Sequence, residues 1–399
     1  MLVSRGLALI AAATIVLAGA SVAEDDTPKR CPSAVPYVGP PLHAPLDTAW
    51  FAGLDGAMTG ALDDSLVARL DGAVASILAI TKAPAITAAV GIPGEGLWTA
   101  SRGVAKLEPP TPFAPRPLFY WASVGKAFTA TVVIQLIEEG KLAYGDPLAR
   151  WFPDYPNAGA ITVDHLLTHT SGAFSFNADL KFRKRKGYTP PDELIRIAAR
   201  HGNALCPGER WSYTNTGYVL LARIVEKIEG LPFHQVVTRR VVDRLGLRGT
   251  IALSPEQTPP GLATGHVAGR PDLAFDCSTP FGAGIIVAPA DDMVRFWQAM
   301  LAGRLTSAAS LRHAFGDLYP MVDPGTFYGR GVMVIEFREG DRPPNVWLGH
   351  GGGTPSARAV IAYDTASRVF IAVAINGDVS TEAAAYRLLK EVRAYRATR

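Results

Sequence analysis

The sequence predicts an α/β fold of the α+β type: one antiparallel sheet built from both ends of the chain and flanked by terminal helices, with a mainly helical lobe inserted between the halves. Three observations predict it. Strand-like segments lie towards both ends of the chain, a helical pattern lies outside each group, and helical patterns predominate between them. With 399 residues, 48% of them hydrophobic, the chain can bury one large core or two smaller ones.

The N-terminal part begins with a predicted helix over residues 63–82, whose apolar side chains recur at helical spacing. Two strands follow, over residues 85–92 and 97–105, because a Pro-Gly-Glu-Gly turn separates two strand-like runs. The helices predicted next each stop at or near a glycine, and they cover residues 123–139, 191–200, 216–229 and 232–244.

The C-terminal part returns to strand patterns and ends in a predicted helix over residues 380–396. Its strands are predicted over residues 331–337, 346–349, 358–363 and 369–375. The helical lobe then spans roughly residues 115–280. Because ligand sites prefer the junctions between lobes, we expect the functional site in a cleft there.

The first residues carry the pattern of a targeting segment. Arg5, an apolar run over Leu7–Ala18 and a small-residue cleavage site predict a signal peptide over residues 1–23; the alternative, a membrane-anchoring helix, would need about 20 apolar residues. Residues 24–62 are Pro-rich and predict a leader or linker ahead of a folded domain at 63–399. No later stretch is apolar enough to span a bilayer, so we expect no transmembrane helix in the mature chain, and a periplasmic or secreted location.

The charges are nearly balanced, with 39 basic and 36 acidic residues and a formal net charge of +3. This balance argues against a nucleic-acid-binding protein and favours a small molecule or peptide as the partner. One basic run, Lys181 to Lys186, could recruit an anionic polymer or a membrane surface, or it could be a solvated loop.

Three cysteines in a compartment that permits disulfides leave three possible pairs. We favour Cys206 with Cys277, because both lie in the predicted domain, whereas Cys31 opens the Pro-rich segment. None of the three has a histidine at a spacing that indicates a thiol nucleophile or a zinc site.

The first chemical segment surrounds Ser123 and Lys126, at the start of a predicted helix that is almost uncharged and therefore buried. Residues three apart share a helix face, so the lysine amine can reach the serine oxygen. Burial lowers the pKa of an amine, as a general base near neutral pH requires. Free N–H groups at a helix start also favour developing oxyanion charge. A simple helix cap is the alternative for the serine.

Two later segments add polar groups of complementary chemistry. Tyr213 and Asn215 are two apart in an extended turn, which gives a phenol for proton transfer and an amide for a substrate backbone. His350 precedes three glycines that include Gly352 and Gly353, and glycines let a substrate backbone approach a strand edge. Taken singly, each segment could equally be a buried tyrosine with a capping asparagine, or a glycine-rich turn.

Together the motifs Ser-x-x-Lys, Tyr-x-Asn and His-x-Gly, in this order, resemble those of the serine β-lactamase and penicillin-binding DD-peptidase superfamily. The resemblance is nearest to class C β-lactamases and their low-molecular-weight DD-peptidase and esterase relatives. Residues 164–172 are similar to the family's LLTHTSG segment, and residues 207–218 to its PG…YSNxGY run. The resemblance extends from about Asp63 to the C-terminus.

The resemblance implies a role for each matching residue. Ser123 would be the acylated nucleophile, Lys126 the group that helps to deprotonate it, and Tyr213 the group that relays a proton to the leaving group; whether Lys126 or an ionised Tyr213 is the base stays open. Asn215 would hold the substrate amide. His350 would replace the usual lysine, and Gly352 and Gly353 would line the strand edge. The N–H groups of Ser123 and Gly353 would form the oxyanion hole.

The implied function is an exported serine hydrolase that acts through an acyl-enzyme. A D-alanyl-D-alanine carboxypeptidase or related D-amino-acid peptidase is favoured, with an esterase as the alternative. A β-lactamase proper is disfavoured, because His-Gly-Gly at residues 350–352 replaces Lys-Thr-Gly and removes the ammonium that anchors a carboxylate. Arg358 could replace this cation or could be a solvated side chain. The expected substrate is a small peptide or ester, with peptidoglycan fragments among the candidates.

Two rival classes of hydrolase fail on the same residues. An α/β-hydrolase would need Gly-x-Ser-x-Gly after the His-Gly-Gly-Gly segment, and the chain has no such pentapeptide. Metal hydrolysis would need a ligand set, but His165 and His169 have no apparent third partner. We therefore expect no cofactor and no metal. A non-catalytic binding protein on the same fold stays as a less favoured alternative, because such a protein would be expected to lose Ser123, Lys126 or Tyr213, and all three are present.

Overall fold

The computed structural model describes residues 28–338 and 344–399, so the predicted signal peptide lies outside the described residues. The helices are α1 Asp64–Thr81, α2 Gly125–Glu138, α3 Val163–Leu167, α4 Pro191–His201, α5 Asn215–Glu229, α6 Phe233–Val237, α7 Asp243–Leu245, α8 Ala290–Leu301, α9 Ala308–Ala314 and α10 Thr381–Arg396. The strands are β1 Ala85–Ile92, β2 Gly96–Gly103, β3 Phe119–Tyr120, β4 Ile251–Ala252, β5 His266–Val267, β6 Arg270–Pro271, β7 Ile286–Ala288, β8 Tyr319–Pro320, β9 Thr326–Tyr328, β10 Met333–Phe337, β11 Asn345–Thr354, β12 Ala357–Asp364 and β13 Val369–Ile375.

The main sheet joins the two ends of the chain, as predicted. Its eight antiparallel strands follow the order β2-β1-β13-β12-β11-β10-β9-β8. The N-terminal hairpin closes against the last strand, with Ile86 opposite Ile375 and Gly91 opposite Phe370. The predicted fold class is therefore confirmed, and the catalytic motifs can be located on it.

Two cores form on the two faces of this sheet. The helices α1 and α10 cover one face through apolar side chains such as Leu70 and Leu388, and α8 together with the turn that precedes α2 covers the other face. Strands β1 and β13 are buried along their whole length. Burial on both faces explains why their sequences are almost continuously apolar rather than alternating.

Some element boundaries differ from the sequence prediction. The predicted helix over residues 232–244 is divided, because a π-helical turn over Thr238–Val242 separates α6 from α7. The predicted strand over 346–349 continues to Thr354, so the glycine-rich segment lies inside β11 rather than after it. A 3-10 turn over Ala122–Val124 precedes α2.

The predicted pairing of Cys206 with Cys277 is wrong, because the disulfide joins Cys31 to Cys206. The start of the Pro-rich segment packs on the domain. Residues 29–38 lie beside residues 203–209, which brings the two Cα atoms within 5.7 Å. Cys277 is free and half-buried, and burial raises the pKa of its thiol to about 12.

Backbone hydrogen bonds fasten this segment, residues 29–38, which we call the N-terminal strap. The N–H of Lys29 donates to the carbonyl of Asn203 at 2.8 Å, and the N–H of Val35 donates to the carbonyl of Pro207 at 2.9 Å. Sequence patterns miss such pairings, because the strap has no regular period. Further along, Leu54, Met58 and Leu62 are buried, so this part of the predicted leader also packs on the domain.

The basic run lies on the surface of the lobe. Residues 182–184 form a single 3-10 turn, and Arg185 pairs with Glu193 at 3.1 Å. None of the helices in the described residues is long and apolar enough to cross a membrane.

We predict that the disulfide stabilises the fold measurably. Replacing Cys31 and Cys206 together by serine should lower the free energy of unfolding by about 2–5 kcal/mol, because the cross-link spans 175 residues and limits the unfolded chain. Thermal unfolding should show a melting temperature several degrees lower. Cys277→Ser is the matched control and should unfold like the parent; equal melting of all three proteins would contradict the prediction.

Candidate active site

The site begins at the turn that leads into α2. Ser123 lies in the 3-10 turn and is partly exposed, whereas Lys126, one helical turn later, is fully buried. Ala122, just before the serine, has a φ of +47°, a backbone conformation that a non-glycine residue rarely adopts. Such a conformation leaves no local sequence pattern, so sequence analysis does not predict it.

The Lys126 amine has three oxygen neighbours. Its Nζ lies 3.0 Å from Ser123 Oγ, 2.7 Å from Asn215 Oδ1 and 3.0 Å from the Ala283 carbonyl oxygen. Burial holds the pKa of Lys126 well below its usual value, and no carboxylate in the described part of the chain pairs with it. A neutral amine has two N–H donors and one lone pair. The donors fit Asn215 and Ala283, and the lone pair can accept the Ser123 hydroxyl proton.

Tyr213 lies just before α5 and beside the amine. Its ring centre is 4.8 Å from Lys126 Nζ. Burial raises the pKa of the Tyr213 phenol above its usual value, although hydrogen bonding with the Ser123 side chain opposes this shift. Burial thus favours the protonated form of the phenol and the neutral form of the amine. The structure thus brings Ser123, Lys126, Tyr213 and Asn215 together, although they are spread over two separate sequence segments.

The glycines of β11 allow the strand to pack against the 3-10 turn Ala122–Val124, which we call the nucleophile turn after the role predicted for Ser123. A Cβ atom on Gly352 would lie 2.5 Å from the Trp121 carbonyl oxygen and 3.0 Å from the Ser123 nitrogen. These contacts are with backbone, so no side chain fits there. The strand therefore reaches the serine only because residue 352 is glycine.

One edge of β11 is open next to the serine. Residues 345–349 pair with β10, but among the described strands residues 350–354 pair only with β12. The N–H of Gly351 points to this open edge, where it contacts the Met333 sulfur at 3.4 Å. Alternate residues of a strand direct their N–H groups to the same edge, so the N–H of Gly353 also faces the cleft.

His350 occupies a different environment from the one its motif position implies. The side chain is fully buried, with Nδ1 2.6 Å from the Gly351 carbonyl oxygen and Nε2 3.0 Å from the Tyr328 hydroxyl. Burial lowers the pKa of His350 to about 3, and the nearby Lys126 acts in the same direction. His350 is therefore a neutral group behind the cleft wall and supplies no positive charge.

Arg358, on the strand next to His350, is a cation that is already paired. Its guanidinium donates two hydrogen bonds to one oxygen of Asp378, at 2.9 and 2.6 Å. Its Nη1 atom packs over Gly353, at 2.6 Å from where a Cβ atom would stand. The side chain is mostly buried rather than solvated, but its charge is balanced by Asp378.

Several contributors to the site were missed by sequence reasoning. Asn177 accepts a hydrogen bond from Asn215 Nδ2 at 2.9 Å, and Ser175 Oγ accepts one from the Asn215 N–H at 2.9 Å. The carbonyl of Ala283 and the hydroxyl of Tyr328 complete the surroundings of Lys126 and His350. The motif Ser-x-Asn at residues 175–177 offered a weak signal; a backbone carbonyl offers none.

Comparison with known proteins identifies the family to which this chain belongs. A family model described as Beta-lactamase matches residues 70–394. This chain belongs to the Beta-lactamase family. The match covers both ends of the sheet and the inserted lobe.

Relatives of this Beta-lactamase family member carry several activities in their names. The chain is 30% identical over 285 residues to penicillin-binding protein 4* of Bacillus subtilis, which covers 66% of this chain and 61% of that protein. It is 31% identical over 211 residues to esterase EstB of Burkholderia gladioli, covering 48% and 54%. The chain thus matches little more than half the length of these curated relatives.

Solved structures give the same fold. The structure of D-amino acid amidase from Ochrobactrum anthropi SV3 with L-phenylalanine amide superposes with a TM-score of 0.72 at 26% identity, covering 82% of this chain and 99% of that chain. The Beta-lactamase family assignment and the predicted fold are therefore confirmed from sequence and from structure.

We predict that Gly352 is indispensable to this site. Gly352→Ala should reduce turnover by about 100-fold or more, because the new methyl group would push the strand away from the Ser123 turn by several tenths of an ångström. Gly72→Ala in α1 is the control, since a Cβ atom on Gly72 would meet nothing within 4 Å. Steady-state kinetics should show a much smaller loss for the control; similar losses would contradict this account.

Proposed function

We propose that the protein is an exported D-amino-acid peptidase, with D-alanyl-D-alanine carboxypeptidase as its leading activity, that acts through an acyl-enzyme on Ser123. The observation that carries the proposal is the buried amine of Lys126 at 3.0 Å from Ser123 Oγ, beside the Tyr213 phenol. Such a cluster supports hydrolysis by a nucleophilic serine.

In the proposed first step, Ser123 Oγ attacks the substrate carbonyl carbon and its proton passes to Lys126 Nζ. The opposite pKa shifts of the two groups favour this assignment, because burial keeps Lys126 neutral and keeps Tyr213 protonated. Lys126 is then the base, and Tyr213 donates its proton to the leaving amine or alcohol as the bond to the carbonyl carbon breaks. The phenolate recovers a proton from the Lys126 ammonium.

The charge that develops on the carbonyl oxygen would be held by two backbone N–H groups, those of Ser123 and Gly353. Contact between the nucleophile turn and β11 supports this arrangement, as does the open edge that faces the cleft. In the second step a water molecule attacks the acyl carbon and gives its proton to the same base, and Ser123 leaves with a proton. Asn215 Nδ2 has one N–H beyond the bond to Asn177, which can hold the substrate amide.

Two features support D-amino-acid substrates. An extended peptide can align along residues 350–354, whose cleft-side edge has no partner among the described strands. The solved relative is named as a D-amino acid amidase, and another relative of this chain, from Staphylococcus aureus, is named teichoic acid D-alanine hydrolase. Both names point to D-configured acyl donors, and peptidoglycan fragments are the proposed source of such donors.

An esterase is the second candidate, and the state of His350 favours it. A neutral, fully buried imidazole cannot anchor the free carboxylate of a D-alanyl-D-alanine peptide, and the adjacent Arg358 is paired with Asp378. Simple esters need no such anchor. The relative named esterase EstB supports this alternative.

We propose export on two grounds. Residues 1–23 have the composition of a signal peptide, and the Cys31–Cys206 disulfide requires an oxidising compartment to persist. A periplasmic or secreted location would give the enzyme access to cell-wall substrates.

We predict that Ser123 is acylated. A fluorescent fluorophosphonate should label the wild-type protein and leave Ser123→Ala unlabelled. The labelling rate of Lys126→Ala should be at least about 100-fold lower than that of the wild type, because this variant loses the proposed base. Ser171→Ala is the matched control, since Ser171 is a buried serine that does not contact the amine. Gel fluorescence measures each rate. Labelling of Ser123→Ala at the wild-type rate would exclude the mechanism.

We predict hydrolysis of a D-alanyl-D-alanine peptide but not of its L,L isomer. Release of D-alanine, measured by a coupled assay, should be detectable with the wild type and absent with Ser123→Ala. A short-chain nitrophenyl ester tests the alternative in parallel. Turnover of the ester with none of the D,D peptide would make the esterase the primary function, with the acyl-enzyme mechanism intact.

A further inference from the structure

His169 lies in the Thr-His-Thr-Ser-Gly segment that follows α3, and the mechanism above does not use it. The side chain is fully buried, yet it lies against the catalytic group of another segment. Its ring centre is 4.3 Å from that of Tyr213, at an interplanar angle of 41°. The buried His169 ring therefore packs directly on the proposed proton-transfer group.

His169 holds the backbone on both sides of Tyr213. The N–H of Ser212 donates to the His169 carbonyl oxygen at 2.8 Å, and the N–H of Thr214 donates to His169 Nδ1 at 3.2 Å. These two residues flank Tyr213 directly. One residue therefore fixes the two peptide groups that set the position of the phenol.

The second hydrogen bond also fixes the tautomer. Because Nδ1 accepts a hydrogen bond, the proton of the neutral ring is on Nε2. This Nε2 is buried and has no hydrogen-bond partner among the described residues. Three aromatic rings besides Tyr213 surround the imidazole, with centroids 4.5–6.2 Å away, namely those of Trp211, Tyr218 and Tyr328.

The local charges oppose protonation of this ring. Burial lowers the pKa of His169 well below its usual value, and the neighbouring Lys126 and His350 act in the same direction. The other titratable groups that face it, Tyr213, Tyr218 and Tyr328, are neutral phenols whose pKa values burial raises. No carboxylate is among the groups that act on it. The imidazole is thus suited to packing and to accepting a hydrogen bond, not to proton transfer.

The backbone of His169 limits which residues can stand there. Its φ is +61°, in the left-handed region, which glycine and asparagine tolerate best. The hydrogen bonds and ring contacts of His169 offset the free-energy cost of this backbone conformation. The same property supplies a pair of variants: glycine keeps the backbone conformation and removes the side-chain acceptor, whereas asparagine keeps the conformation and offers Oδ1 near the place of Nδ1.

We propose that His169 is a positioning residue, which holds Tyr213 in line with Ser123 by accepting the Thr214 N–H and by packing its ring on the phenol. The inference rests on the proposed role of Tyr213 in the acyl-enzyme mechanism. His169 acts through Tyr213 and takes no proton from the substrate. Displacement of a catalytic group by about 1 Å costs on the order of 100-fold in rate, which sets the effect to be expected.

The test compares His169→Gly and His169→Asn with the wild type on a nitrophenyl ester, or on the D-alanyl peptide if only that is turned over. We expect His169→Gly to lower kcat by about 30- to 100-fold, while KM changes less than about threefold, because the phenol moves and the strand edge does not. Asparagine should restore kcat to within about fivefold of the wild type. Thermal unfolding of all three separates a general loss of stability from a loss of chemistry.

Each outcome decides the proposal. Wild-type kcat in folded His169→Gly would overturn it, and so would a 100-fold loss in His169→Asn with unchanged melting temperature. If His169→Gly does not fold, the asparagine variant carries the test alone. If the pH dependence of kcat in His169→Asn lost a limb between pH 5 and 8, the imidazole itself would transfer protons, and the positioning role would be overturned. Failure of wild-type Ser123 to react with a fluorophosphonate would instead remove the proposed mechanism.

Discussion

The burial of one lysine amine among neutral groups is the constraint on which the site depends. Lys126 is fully buried, and within the described part of the chain its Nζ has three hydrogen-bond partners, all of them neutral oxygens, those of Ser123, Asn215 and Ala283. A charged amine in such surroundings would carry a large desolvation cost, so the neutral form is favoured. The fold thereby favours the neutral form of this amine, which is the form that the proposed role of Lys126 as a base requires.

Tight packing around the nucleophile turn follows from this requirement. The turn must approach both the lobe and the sheet to exclude water from the amine, and small residues make that approach possible. Gly352 abuts the backbone around Ser123 from the sheet, and Gly284 abuts the Ala122 carbonyl oxygen from the lobe, where its Cβ would be 2.4 Å away. Ala122 itself adopts a left-handed backbone conformation in this tightly packed turn.

Neutrality extends beyond the lysine to its neighbours. His350 and His169 are both buried, and burial lowers the pKa of each, while the phenols around them have raised pKa values. A positive charge on either ring would make the charging of Lys126 in the catalytic cycle less favourable. The replacement of the usual lysine by His350 therefore changes both the electrostatics behind the cleft and the anchoring of an anionic substrate.

The sequence by itself determined the fold class and the candidate site residues, because both leave local patterns in the sequence. Apolar runs at both ends predicted the sheet, and the motifs around Ser123, Tyr213 and His350 are short and ordered. Only the tertiary structure decided the partner of Cys206, the buried state of His350 and the contact of His169 with Tyr213. Each of these depends on segments far apart in the chain, brought together by a strap without periodicity or by loops. Periodic patterns report which face of an element is buried; they carry no information about what lies against it.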